Sequence, residues 1–366
     1  MEINSNIEKI KNILKNSKNI ALFLEDNPPP DVIGASLAMF FALKKFNKNV
    51  LLANPTPLPV LNVLIKKMTK EKLVLIFEDD ASEIFYEKNS GQTKIYLTPK
   101  NNPIRPNSFS CQISKVKEDQ LTNESAPFDL LISLDINKYE IIENKLTEQI
   151  DCLSQCDILN ISNDANNQNY GDINFILPNR SLSEIIAQLI YKLGNEFMNK
   201  KTADALIYGL FNCEDGSPSN SILETFLWLL KNNGRFDLLI NENEPQKESQ
   251  LKILEHALLN LDQELFEKTK IGLSSVEEKF FLATSNHPKD LLYTIEKAKN
   301  FFLFPAFILL WNSSKETNGV FWSNDASLVS IIQNNFPGQY KDTGGLFVIR
   351  NSDINQAKEK IKALLP

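Results

Sequence analysis

Histidine is nearly absent from this chain, with only His256 and His287 among 366 residues. That argues against a metal centre built from several imidazoles. It also argues against a Ser–His–Asp enzyme, because neither histidine lies near a G-x-S-x-G turn. Arginine is almost as scarce, with Arg105, Arg180, Arg235 and Arg350 the only four among 39 basic residues. Bidentate clamps on phosphate or carboxylate are therefore few. Four cysteines occur (Cys111, Cys152, Cys156 and Cys213) and none forms a CxxC pair, which speaks against a zinc site and suits reduced thiols in a cytoplasm. No G-x-G-x-x-G or G-x-x-x-x-G-K-[ST] loop is present near the N-terminus, so a dinucleotide or P-loop enzyme is rejected. The longest apolar run, Phe301 to Trp311, is about half of a membrane span and contains Pro305. It reads as a buried strand. The first twenty residues form a polar amphipathic pattern without a signal-peptide core. A net charge of −7 and a pI near 5.2 disfavour sequence-specific DNA binding. The expectation is a soluble, cytoplasmic protein without a membrane partner.

What remains is ordinary globular material, 42% hydrophobic and 23% charged, long enough for two domains. An apolar strand at 19–24 is followed by a Pro-rich turn, a helix at 31–46 and a strand at 49–53, which make one βαβ unit of a parallel sheet. Residues 60–125 alternate short strand-like runs with turns, as an inserted β-rich meander would. Apolar strands recur at 129–134 and 157–161. Helices fit 181–198, 202–212, 219–232 and 248–269. From about 271 the pattern returns to strands at 271–273, 279–284, 306–312, 319–323 and 345–349, with helices near 287–299, 325–335 and 352–365. The expected organisation is a first α/β domain over 1–235, a connecting helical segment over 236–270 and a smaller α/β domain over 271–366.

In a parallel α/β sheet, ligands bind beyond the C-terminal strand ends. Those ends carry Glu25, Asp26 and Asp31, then Asp135, then Ser162, Asn163 and Asp164, then Cys213, Glu214 and Asp215. Acidic and amide residues converging on one crevice would suit a metal site or its remnant. They also suit plain helix caps and solvated loops. The cluster Asn160, Ser162, Asn163, Asn166 and Asn167 could hydrogen-bond a ligand without charge.

Several of these segments, in order, resemble the motifs of DHH-family phosphoesterases, the RecJ-like group that includes nanoRNase/pAp-phosphatases. ALFLEDNPPPDVIGASLAMFFALKKFNKNV resembles the first motif, H-x-N-P-D-G-D-x-I-G-S with its helix and strand. DLLISLD resembles the second, and ILNISNDANNQNYGDINFI the D-H-H segment. RSLSEIIAQLI and TADALIYGLFNCEDGSPSNSILETFLWLLKNNG resemble the motifs downstream. The likeness covers about residues 1–240. It is looser beyond, where GVFWSNDASLVSIIQNNFPGQYKDTGG stands in place of S-x-R-S and a G-G-G-H loop. The resemblance implies a parallel-sheet DHH-like N-terminal domain with covering helices and a smaller DHH-associated-like α/β domain. It also implies two manganese ions that drive phosphoester hydrolysis.

The catalytic letters depart from that pattern. The first-motif His falls on Glu25, and the first D-G falls on Pro29 and Pro30. Asp31 and Asp135 are kept. The D-H-H triplet has become Ser162, Asn163 and Asp164, and the fourth-motif Asp is Cys213. In the C-terminal region the G-G-G-H loop has become Phe336, Pro337, Gly338 and Gln339, and the S-x-R-S arginine falls near Asn324. The framework residues Gly34, Gly171, Ser183, Glu184 and Gly209 remain. The leading expectation is therefore a pseudoenzyme with no resident cofactor. It would keep Glu25, Asp31 and Asp135 as a vestigial metal set, with Asn160, Ser162, Asn163, Asn167, Cys213 and Gln339 lining a cleft. That cleft would bind a nucleotide or short oligonucleotide, or serve a protein partner or homodimer. The alternative is an active phosphoesterase with Mn or Mg on a rebuilt carboxylate site and Asp164 as the catalytic residue. A third reading makes the cleft irrelevant and the strand edge at Lys94 to Leu97 a recruiting surface.

Overall fold

The computed structural model describes residues 2–52, 72–77, 81–89, 92–99, 109–114, 128–147, 150–213, 222–239, 245–284, 287–313 and 316–365. Glu214, Asp215 and the connecting stretches of the 60–125 insert lie outside the described residues. The strands are β1 (Asn19–Phe23), β2 (Asn49–Leu52), β3 (Lys72–Phe77), β4 (Ala81–Asn89), β5 (Gln92–Pro99), β6 (Phe109–Ser114), β7 (Leu130–Leu134), β8 (Asp157–Ser162), β9 (Ile173–Ile176), β10 (Gly272–Val276), β11 (Ala306–Ser313), β12 (Glu316–Ser323), β13 (Gly338–Lys341) and β14 (Gly344–Arg350). The fold is α/β with two main sheets. The first has five strands in the order β2-β1-β7-β8-β9, and every neighbouring pair is parallel. The second has the order β10-β11-β12-β14-β13, with β10 and β11 parallel and the remaining pairs antiparallel. Within the insert, β3 pairs with β6 and β4 with β5, both antiparallel.

Side chains on the first sheet alternate between two apolar layers, as the two-residue strand period requires. Ile20, Leu22, Leu130, Ile132, Leu159 and Ile161 join the main core. Ala21, Phe23, Leu131 and Ile158 face the opposite cluster with Ile142 and Leu153. Both faces are covered, which is why β1 and β7 are mainly apolar and β8 is buried from Ile158 onward. The main core continues to Phe307, Leu309 and Val320 of the second sheet, and Ile308, Leu310 and Phe321 turn to the other side of that sheet. Among the described residues no helix is long and apolar enough to cross a membrane.

Three elements differ from the sequence expectation. Residues 279–284 are not a strand but the helix Glu278–Thr284. It belongs to the crossover that the parallel β10–β11 pair requires. The single helix expected over 248–269 is two, Pro245–Leu259 and Gln263–Thr269. Asp262 breaks it: its side chain accepts from Leu265 N–H at 3.0 Å and its own N–H donates to Leu273 O at 2.8 Å. The run from Phe301 is a strand only from Ala306 onward.

His256 is a packing residue. Its ring stacks on Phe280 with centroids 4.1 Å apart. Burial lowers its pKa from 6.5; Glu277 opposes this, while Lys279 and Lys358 add to it. The neutral ring is the folded form, so its contribution is present above about pH 6.5 and is lost as pH falls through the lowered value. The urea midpoint is expected to fall between pH 7.5 and 5.5, and to fall less in His256→Gln. An equal fall in both proteins would contradict this assignment.

Candidate functional site

The order β2-β1-β7 places a topological switch between β1 and β7. The chain leaves β1 toward β2 on one side and later returns on the other. Loops diverge there and leave a crevice at the carboxyl ends of the strands. A cavity of about 490 Å³ lies among residues that follow β1, β7 and β8, including Asp31, Asp135 and Asp164.

Asp31 sits in the first turn of the helix Pro30–Lys45, where Pro30 needs no amide partner. Its side chain reaches a second helix, Leu182–Leu193. Leu182 N–H donates to Oδ2 at 2.6 Å and Ser183 N–H to Oδ1 at 2.9 Å. The Ser183 hydroxyl donates to the Asp31 carbonyl at 2.9 Å, and Ser181 Oγ accepts from Glu184 N–H at 3.1 Å. Two side chains thus satisfy the first amides of that helix. Asp31 is 7% exposed. Burial raises its pKa above the ordinary carboxylate value, and the Ser183 and Leu182 hydrogen bonds oppose that shift.

Asp135 ends β7 in a left-handed conformation, φ 59°, and its N–H donates to Ile161 O at 2.9 Å. Burial raises its pKa, hydrogen bonds from Ser162 and the Asn163 amide lower it, and the Asp164 charge adds to the rise. Ser162 Oγ lies 3.3 Å from Asp135 Oδ1 and 3.4 Å from Asn137 Oδ1, and its one proton serves one of them at a time. Asn137 Nδ2 donates to Asp164 Oδ2 at 2.6 Å, and Asp164 Oδ1 accepts from Asn166 N–H at 2.8 Å. Asn163 Nδ2 donates to the Arg180 carbonyl at 3.0 Å.

Of the residues expected at the site, the cavity gathers Asp31, Asp135, Asn163, Asp164 and Cys213. The others stand elsewhere. Glu25 is exposed in the turn after β1 and does not line the cavity. Gln339 is exposed on β13, the outer strand of the second sheet, and does not line it either. Ser162 lies beneath the cavity as a hydrogen-bond hub, fully buried. Asn160 and Asn167 are also buried, and their amides are occupied. Asn160 Nδ2 donates to Asn167 Oδ1 at 2.7 Å and Asn174 Oδ1 at 3.0 Å, and Asn167 Nδ2 donates to Ile136 O at 2.8 Å. With Tyr170, whose hydroxyl meets Ser133 Oγ at 2.8 Å, they tie the loop after β8 to β7. Cys213 follows the helix Lys200–Phe211 rather than a strand.

Asp31 is buried with both oxygens accepting amides, and neither histidine lines the cavity. Among the described residues no three His, Cys, Asp or Glu side chains are grouped to hold a metal ion. Sequence reasoning missed Asn137, Asn179, Arg180, Ser181 and Asn212, which line the cavity as well. The rarity of arginine could have singled out Arg180. For the three asparagines no pattern marks them among many others.

No family model matches the chain, and no curated protein matches it. Among solved structures it is similar to an exopolyphosphatase-related protein from Bacteroides fragilis, with 14% identity, 98% of this chain and 95% of that one covered, and a TM-score of 0.42. A candidate family II inorganic pyrophosphatase from Methanococcus jannaschii is similar at 13% identity, over 94% of this chain and 99% of that one, with a TM-score of 0.33. RecJ from Thermus thermophilus, solved in complex with Mn²⁺, is similar at 9% identity and a TM-score of 0.31; the match takes in 99% of this chain but about half, 53%, of RecJ. At these values the likeness stands as similarity alone.

Proposed function

We propose that this chain is a DHH-like phosphoesterase homologue that keeps the switch-point cavity as a ligand site and lacks the two-ion hydrolytic centre. Its ligand is a nucleotide or short oligonucleotide, and the protein is cytoplasmic. The observation that carries this reading is the work done by Asp31. The motif aspartate is buried, and its carboxylate accepts the amides of Leu182 and Ser183, so it acts as a helix cap between two elements of the scaffold. What remains open to a ligand is a mixed surface of Asp135, Asp164, Asn137, Asn163 and Arg180. That set can recognise polar groups. It offers no imidazole and too few carboxylates to hold two ions and activate water.

A second reading has one observation in its favour. Asp135, Asp164 and Asn137 present oxygens to the same cavity, and a single hard ion such as Mg²⁺ prefers such ligands. Incubation of the purified chain with a dinucleotide or pAp, in Mn²⁺ or Mg²⁺, separates the two. The expected result is no turnover above that of Asp135→Ala. Metal-dependent turnover that vanishes in Asp135→Ala would overturn the first reading in favour of the second.

A further inference from the structure

We infer that the cavity takes its ligand with an anionic group on Arg180 and hydrogen-bond donors toward Asp135 and Asp164, with no bridging divalent ion. This rests on the ligand-site reading above and adds the ligand's orientation. Arg180 is the one cationic residue among the described residues that line the cavity. It stands just before the helix Leu182–Leu193, and its backbone is held by Asn163 through the Arg180 carbonyl. Its guanidinium is steadied from one side only. Nη1 donates to Glu184 Oε1 and to Gln188 Oε1, both at 3.3 Å. Among the described residues Nε and Nη2 meet no partner. Those two nitrogens form the planar edge that grips two oxygens of a phosphoryl or carboxylate group.

The same cavity is lined by carboxylates of the reverse sign. Asp135 and Asp164 lie close enough to interact electrostatically, and a ligand anion placed beside them without an ion would be repelled. The same carboxylates, with the Asn137 amide oxygen, accept hydrogen bonds from hydroxyl or amine groups. A ligand that carries an oxyanion as well as hydroxyls or amines suits both kinds of group, and a nucleoside monophosphate is such a molecule. Arg180 also neutralises Glu184, whose side chain is 4% exposed. An alanine variant would strip a buried carboxylate of this cation, whereas Arg180→Lys keeps the charge and removes the two-pronged edge.

The test is isothermal titration calorimetry in EDTA with adenosine 5′-monophosphate and with adenosine, on wild type, Arg180→Lys and Asp135→Asn. Urea midpoints confirm that the variants are folded. The expected result is that wild type binds both probes without divalent ion. Arg180→Lys weakens the monophosphate about tenfold and leaves adenosine unchanged, and Asp135→Asn weakens both probes alike. If Arg180→Lys binds the monophosphate as tightly as wild type, the orientation is wrong and the ligand-site reading stands. If the monophosphate binds only with Mn²⁺ and is lost in Asp135→Asn, the phosphoryl group sits on an ion at the carboxylates and the inference fails. If neither probe nor a dinucleotide binds under any condition, the ligand-site reading fails and takes the inference with it.

Discussion

Replacing Asp31 with alanine is expected to lower the unfolding free energy by about 3 kcal/mol, measured in urea with EDTA present. The cost comes from two amides at the start of the helix Leu182–Leu193. Leu182 and Ser183 donate to the carboxylate from buried positions, and without it they face an apolar interior. Each buried donor left unmade costs about 1–3 kcal/mol, and relief of a buried carboxylate offsets part of the sum. Asp31→Asn should cost less but not nothing, because its NH₂ group confronts an amide that needs an acceptor. Asp135→Ala is expected to cost under about 1 kcal/mol, since Asp135 is only half-buried and its Ser162 hydroxyl contact is long, at 3.3 Å. If Asp31→Ala and Asp135→Ala lose stability equally, and only when divalent ions are present, then both are metal ligands and the capping role is wrong.

Gly34→Ala is expected to cost about 3 kcal/mol, the upper end for overpacking a core. A Cβ at Gly34 would stand 2.5 Å from Gly209 Cα, 2.6 Å from Gly209 N and 2.7 Å from Ala205 O. All three are backbone atoms of the facing helix Lys200–Phe211, so no rotamer change can relieve the contact. The helices must separate. A Cβ at Gly209 would in turn meet Ser183 Oγ at 2.0 Å, the hydroxyl that donates to the Asp31 carbonyl. Gly34, Gly209, Ser183 and Asp31 thus form one junction of three helices at the edge of the cavity. The two substitutions act on shared contacts, so Asp31→Ala with Gly34→Ala should cost less than their sum. Additive losses in urea unfolding would show that the junction is not one unit.

Much of this architecture was legible in the residues. The apolar runs at β1, β7 and β8 announced a parallel sheet covered on both faces, and the Pro-rich turn before Asp31 marked the helix that leads out of β1. The helix Glu278–Thr284 was misread because Phe280, Phe281 and Leu282 form an apolar run too short for periodicity to separate strand from helix. The parallel pairing that requires a crossover there is a long-range fact. At the site, residue types pointed to the right loops but not to their tasks. Asn160 and Asn167 look like ligand-binding amides in a polar run, yet they are spent on a buried network that only the pairing of β7, β8 and β9 brings together. Glu25 stands where the resembled motif has its first His and so seemed to share the site of Asp31, but the turn leaves it in solvent. The partners of Asp31 are 151 and 152 positions away along the chain, a separation at which no local pattern carries information.

The most direct test of the central claim is titration of the purified chain with Mn²⁺ by calorimetry, in wild type and in Asp135→Ala. The expected result is no pair of tight sites, with any weak heat equal in the two proteins. Two tight sites in wild type that disappear in Asp135→Ala would contradict it, since the cavity would then assemble the two-ion centre that the commitment of Asp31 to Leu182 and Ser183 is held to prevent.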